Sequence, residues 1–106
     1  MIVEESLEDN RVLNDFHIIN VRITDENNHA ERWHVYKVET TKEQLQNFAP
    51  VLKPEWYAHF GCGDEMIVLF RDKMFAQKTN DKNTWQPAIE HGLSLGIPKS
   101  QLDFLI

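Results

Sequence analysis

Glu65-Met66-Ile67-Val68-Leu69-Phe70 contains the longest clean apolar run in the chain. It has the length of a strand, and both of its alternate faces are apolar. That pattern belongs to a strand buried on two sides, at the centre of a sheet. Gly61-Cys62-Gly63-Asp64 before it and Arg71-Asp72-Lys73 after it are turn sequences. Beyond the turns stand two further strand-like stretches. Glu55 to Phe60 carries Trp56, Tyr57 and Phe60, and Met74 to Lys78 completes a meander. Connections this short join antiparallel neighbours, because parallel strands need a long crossover.

The pattern upstream agrees. Phe16 to Ile23 alternates with period two, placing His17, Ile19, Val21 and Ile23 on one face. Asp25-Glu26-Asn27-Asn28 is turn chemistry, and Arg32 to Glu39 is a second strand with Trp33, Val35, Tyr36 and Val38. A two-residue loop at Asn27-Asn28 pairs Val21 with His34 and Ile19 with Tyr36. A one-residue slip brings Trp33 and Val35 to that face instead, and the sequence leaves the register open.

Two amphipathic helices complete the reading. Thr40 and Thr41 stand at capping positions before the stripe Leu45, Phe48, Ala49 and Leu52, and Pro50 ends the run. Thr84 precedes the stripe Trp85, Ala88, Ile89, Gly92 and Leu93. Pro87 fits the first turn, Gly92 reads as a site of close helix–sheet approach, and Gly96 reads as the residue that stops the helix. The order ββαβββα predicts an α+β fold: a two-layer sandwich with an antiparallel sheet of about five strands and both helices on one face. Residues 1–14 read as an acidic N-terminal arm and residues 15–106 as a single domain.

The 106 residues carry 11 cations against 17 carboxylates, a formal charge of −6. Glu4, Glu5, Glu8, Asp9 and Asp15 oppose Arg11 alone in the first fifteen positions. Nucleic acid binding needs cations that replace the counterions of phosphate, and no basic stripe exists, so nucleic acid is not an expected partner. Anionic membrane surfaces are disfavoured for the same reason, and no run reaches the ~18 apolar residues of a span. One cysteine excludes an internal disulfide scaffold and multi-cysteine zinc modules. The N-terminus lacks the pattern of a signal peptide, so a cytoplasmic location is expected.

Candidate chemistry is sparse. Cys62 between two glycines reads as an open turn thiol, and His59 three residues away is the only nearby base. Asp64 and Glu65 disfavour a thiolate there, so an ordinary turn residue is the better account than a catalytic pair. His17, His29, His34, His59 and His91 lack the i, i+4 spacing of a helical metal site, and neither metal nor cofactor is implied. Adjacent Glu90 and His91 read as a solvated helix flank. Tyr57, His59, Tyr36 and His34 are the candidate ligand or partner surface, on whichever side of the sheet the helices leave open. Strand alternation sets Trp56 on the face opposite Tyr57 and His59.

Trp56-Tyr57-Ala58-His59-Phe60, Arg71-Asp72-Lys73-Met74-Phe75, Trp85 to Ile89 and the ending Leu95-Gly96-Ile97-Pro98 with Gln101-Leu102-Asp103-Phe104 resemble a family of small uncharacterised bacterial proteins. The resemblance runs over about residues 15–105. It implies a single-domain α+β fold and brings no activity and no functional residue. The expected function is that of a small non-enzymatic binding or interaction module, its partner an unknown protein or small molecule. The alternative is a small enzyme or ligand-binding domain with a pocket near His59, Tyr57 and Glu65. The sequence sets no oligomeric state.

Overall fold

The computed structural model describes residues 1–104, the side chain of Cys62 excepted. It is an α+β fold with two three-stranded antiparallel sheets. The first has the order β1-β3-β2, from Ile2–Val3, His34–Glu39 and His17–Ile23. The second is the meander β4-β5-β6, from Tyr57–Cys62, Glu65–Phe70 and Met74–Lys78. They meet where β1 lies beside β4: the Met1 amine donates to the His59 carbonyl, and His59 N–H returns a bond to the Met1 carbonyl.

The expected single sheet of about five strands is therefore replaced by two sheets of three. The extra strand is β1, two residues long and set in an acidic segment. Strand periodicity cannot register in two residues. For the same reason the first fourteen residues are not an arm. Ile2 is 0% exposed, and Leu7 and Leu13 join it in the core. Hydrogen bonds from Glu8 to Val51 and from Lys53 to Ser6 stitch this segment to the chain after the first helix.

The helices α1, Lys42–Phe48, and α2, Gln86–Ser94, lie on opposite faces, not on one. The alternation in β4 and β5 shows why. Ala58 and Leu69 point into a core with Ile2, Phe16, Leu45, Phe48 and Leu52. Met66, Val68 and Phe70 point the other way, into a core with Ala88, Ile97, Leu102 and Phe104. β5 thus has the two-sided burial its sequence foretells, and each helix has its own side to cover. Thr41 caps α1 by accepting a bond from Gln44 N–H. Thr84 does not cap α2; its hydroxyl bonds to the backbone of Lys78 and Asp81, and a 3-10 turn over Lys82–Trp85 leads into the helix. Gly96, at φ 86°, closes α2 with bonds from Gly96 to Leu93 and from Ile97 to Gly92.

The turn between β4 and β5 is shorter than the sequence implies. Gly61 and Cys62 are still in the strand, and Cys62 pairs with Glu65. The first hairpin has the longer connection Thr24–Trp33, with Val21 opposite Tyr36 and Ile23 opposite His34. Its parity is that of the two-residue-loop register, moved along by two.

Candidate functional site

α2 covers only the β4-β5-β6 half of its face. Where that half steps down to β1 and β3, the chain from Gly96 to Asp103 forms a bank, and a cavity of about 430 Å³ opens beneath it. Val3 and Val35, on the same face of paired β1 and β3, form part of its lining. Trp33 and Trp56 meet edge to face, centroids 5.1 Å apart and planes at 66°. Thr24 fixes the start of β3, since its hydroxyl accepts from Trp33 N–H at 2.9 Å. Trp56 precedes β4, so strand alternation does not govern it. It lines the same cavity as Tyr57 and His59, which corrects the opposite-face expectation.

Tyr57 is held at both ends. Its ring stands edge-on to Phe104 at 5.4 Å, and its hydroxyl donates to the Gln101 carbonyl. Burial first, and then the charge of Asp103, push that hydroxyl up to about 12, so it stays a neutral donor. Burial, aided by the charge of Lys37, lowers the Met1 amine to about 5, and Met1 is among the residues that line the cavity. The lining also holds Arg22, Glu55 and Asp103, and none of these three forms an ion pair among the described residues.

The predicted surface residues separate into two pairs. Tyr57 and His59 line the cavity. Tyr36 and His34 lie on the other face of the first sheet, against the 3-10 turn Glu4–Ser6. There Tyr36 donates to Glu4 at 2.6 Å, and Glu5 bonds both His34 Nδ1 at 2.8 Å and His34 N–H at 2.7 Å. Donor atoms of Glu4, Glu5 and His34 lie within 4.8 Å of one another, a spacing suited to a cation. The same atoms already answer each other as hydrogen-bond partners, so a cation would have to displace those bonds.

Glu65 does not reach the first cavity. It lines a second one, of about 540 Å³, where β3 and β4 stand apart beyond the short β1. His59 borders both. His17, His34 and His59 do not converge: His17 pairs with Glu39 at the exposed edge, and His34 and His59 face opposite ways. The side chain of Cys62 lies outside the described residues, and the open-thiol reading with it. His91 is no solvated flank. Its ring packs edge-on to Phe70 at 4.8 Å and bonds Asp72 at 3.1 Å, and that bond lowers the Asp72 carboxyl.

Sequence reasoning missed Trp33, Arg22, Glu55 and Asp103 as partners in one place. They come from four separate segments: the β2–β3 pairing brings Arg22 and Trp33 near each other, and the Gly96–Asp103 chain adds Asp103. No family model, curated protein or solved structure matches this chain. The cavity is therefore read from its own chemistry.

Proposed function

We propose that this protein is a small non-enzymatic binding module that takes a small-molecule ligand in the cavity between Trp33, Trp56 and Tyr57. One observation carries the reading: a concave site of about 430 Å³ with apolar and aromatic walls and a few polar groups on its rim. Ligand sites are usually about 300–1,000 Å³ and built in this way. The walls are preformed. Tyr57 is held by Gln101 and Phe104, the Trp33 ring packs edge to face with Trp56, and the Trp33 backbone is bonded to Thr24.

A small-molecule library, read by tryptophan emission and melting temperature, tests it. A ligand that raises the melting temperature and shifts the emission should lose both effects in Trp56→Leu or in a cavity-filling Val3→Phe variant. Ligands that bind these two variants as well as they bind the native protein place the site elsewhere.

A second reading has its own support. Ile18, Ile19, Val21 and Ile23 are all exposed along the edge strand β2, Ile23 by 56%. An apolar edge strand with free backbone groups is a place where another chain can pair.

A further inference from the structure

We infer that the cavity binds a compact organic cation, a small soluble molecule bearing a methylated ammonium group. This rests on the cavity being the ligand site. The first ground is shape. The Trp33 and Trp56 planes meet at 66°, so they form a corner and not a parallel slot. A flat ring can stack on only one wall of such a corner. A rounded trimethylammonium group touches both, and its methyl groups also suit Val3, Val35 and Ile97.

The second ground is charge. The face of an indole carries negative charge density and attracts a cation within about 6 Å of the ring centroid. Two carboxylates, Glu55 and Asp103, stand on the rim without an ion-pair partner among the described residues. Arg22 opposes them from β2, directly across from Val35, so in the lining the carboxylates outnumber the guanidinium by two to one. A methylated ammonium group needs no hydrogen-bond acceptor at close range, which matches a site whose carboxylates sit on the rim and whose walls are carbon. Among the described residues, Glu55 and Asp103 belong to no group of converging metal-ligand atoms of the kind a hard divalent ion takes.

The test compares choline with its neutral isostere 3,3-dimethyl-1-butanol, titrated against the full chain and read by tryptophan emission and calorimetry. Choline should bind more tightly by roughly tenfold, the order expected of a partly desolvated cation–π contact. Glu55→Gln, an exposed substitution that leaves the fold intact, should weaken choline a few-fold and leave the isostere unchanged. Trp56→Phe should retain part of the choline affinity, and Trp56→Leu should lose most of it. Equal binding of the two compounds overturns the cationic ligand and leaves the ligand site standing. Binding of neither, together with no library compound that moves the Trp56 signal, overturns both. A trimethyl-lysine peptide that binds more tightly than choline overturns the free small molecule as the source of the cation.

Discussion

A Cβ built on Gly92 would lie 2.6 Å from Leu102 Cδ2 and 3.0 Å from Cδ1. The sequence marks this glycine for close approach, but the partner it implies is the sheet. The structure gives Leu102, from the chain that banks the cavity. Two effects then oppose each other in Gly92→Ala. Alanine favours the helix by about 1 kcal/mol. Against that, a buried leucine must move, and Leu102 is 3% exposed in a packed core. Leu102→Ala alone should cost about 2–5 kcal/mol. With Leu102 cut back, the nearest atoms around the new Cβ are gone, and Gly92→Ala should turn stabilising by up to about 1 kcal/mol. Denaturant unfolding of the four proteins measures the cycle. Additivity within about 0.5 kcal/mol would mean that Leu102 is not what requires the glycine. The neighbouring stripe was legible in period but not in phase. Leu93 is 45% exposed, while His91 turns in onto Phe70 and Phe75. A residue turns by about 100° per step in a helix, so a buried face centred on Ala88 and Gly92 excludes Leu93.

Among the elements, those with a strong period were legible and those without one were not. β5 and the two helices announce themselves by alternation or stripe. β1 and the 3-10 turns of the first fifteen residues have no such signal, and their acidic side chains look like those of a solvated arm. Three of these carboxylates, Glu4, Glu5 and Glu8, have partners that only the fold supplies. Glu4 and Glu5 hold Tyr36 and His34, pinning the first turn to β3. This contact makes a pH prediction. The hydrogen bond to Glu5 raises the His34 imidazole above its usual 6.5, against a smaller opposing effect of burial. Burial tends to raise the Glu5 carboxyl, but the side-chain and backbone bonds from His34 together bring it below its usual 4.5. The raised imidazole contributes stability below 6.5 that is lost as pH climbs through its folded value. The lowered carboxyl contributes stability above 4.5 that is lost as pH falls through its folded value. The two contributions coexist between about 4.5 and 6.5. Melting temperatures of the native protein and His34→Gln should differ most in that window and converge toward pH 8. A gap that keeps widening toward pH 8 would mean that the ion pair is not what His34 supplies. The backbone bond from His34 to Glu5 survives in the variant, so the difference isolates the side chain.

At the scale of the whole molecule, two sheets and two cores raise the question of whether the halves unfold apart. Their hydrogen-bonded connection is slight: the sheets meet through Met1 and His59, and outside them Arg71 donates to Glu8 at 2.8 Å. Their packing is not. The core that holds α1 takes Ile2 and Phe16 from the first half, and Ala58 and Leu69 from the second. β4 and β5 serve both cores because their alternate residues point to opposite sides, so neither core survives without the same two strands. The Cα radius of gyration, 13.3 Å, is that of one compact body, near the 13 Å or so expected for a chain of about 100 residues. One cooperative transition follows, and the tryptophans can test it. Trp33 and Trp56 report on the junction of the sheets, and Trp85, whose indole N–H donates to the Lys78 carbonyl, reports on the end of β6. A variant with Trp85→Phe and another with both Trp33→Phe and Trp56→Phe separate the two signals. Within each variant, emission and far-ultraviolet circular dichroism should give the same denaturant midpoint, as two-state unfolding requires. Were the Trp85 signal to change well before or after the dichroism, the second core would be unfolding by itself. The cavity would then lie across a seam between two units instead of in the wall of one, and its preformed shape, on which the binding of a compact cation depends, would be lost with the weaker of them.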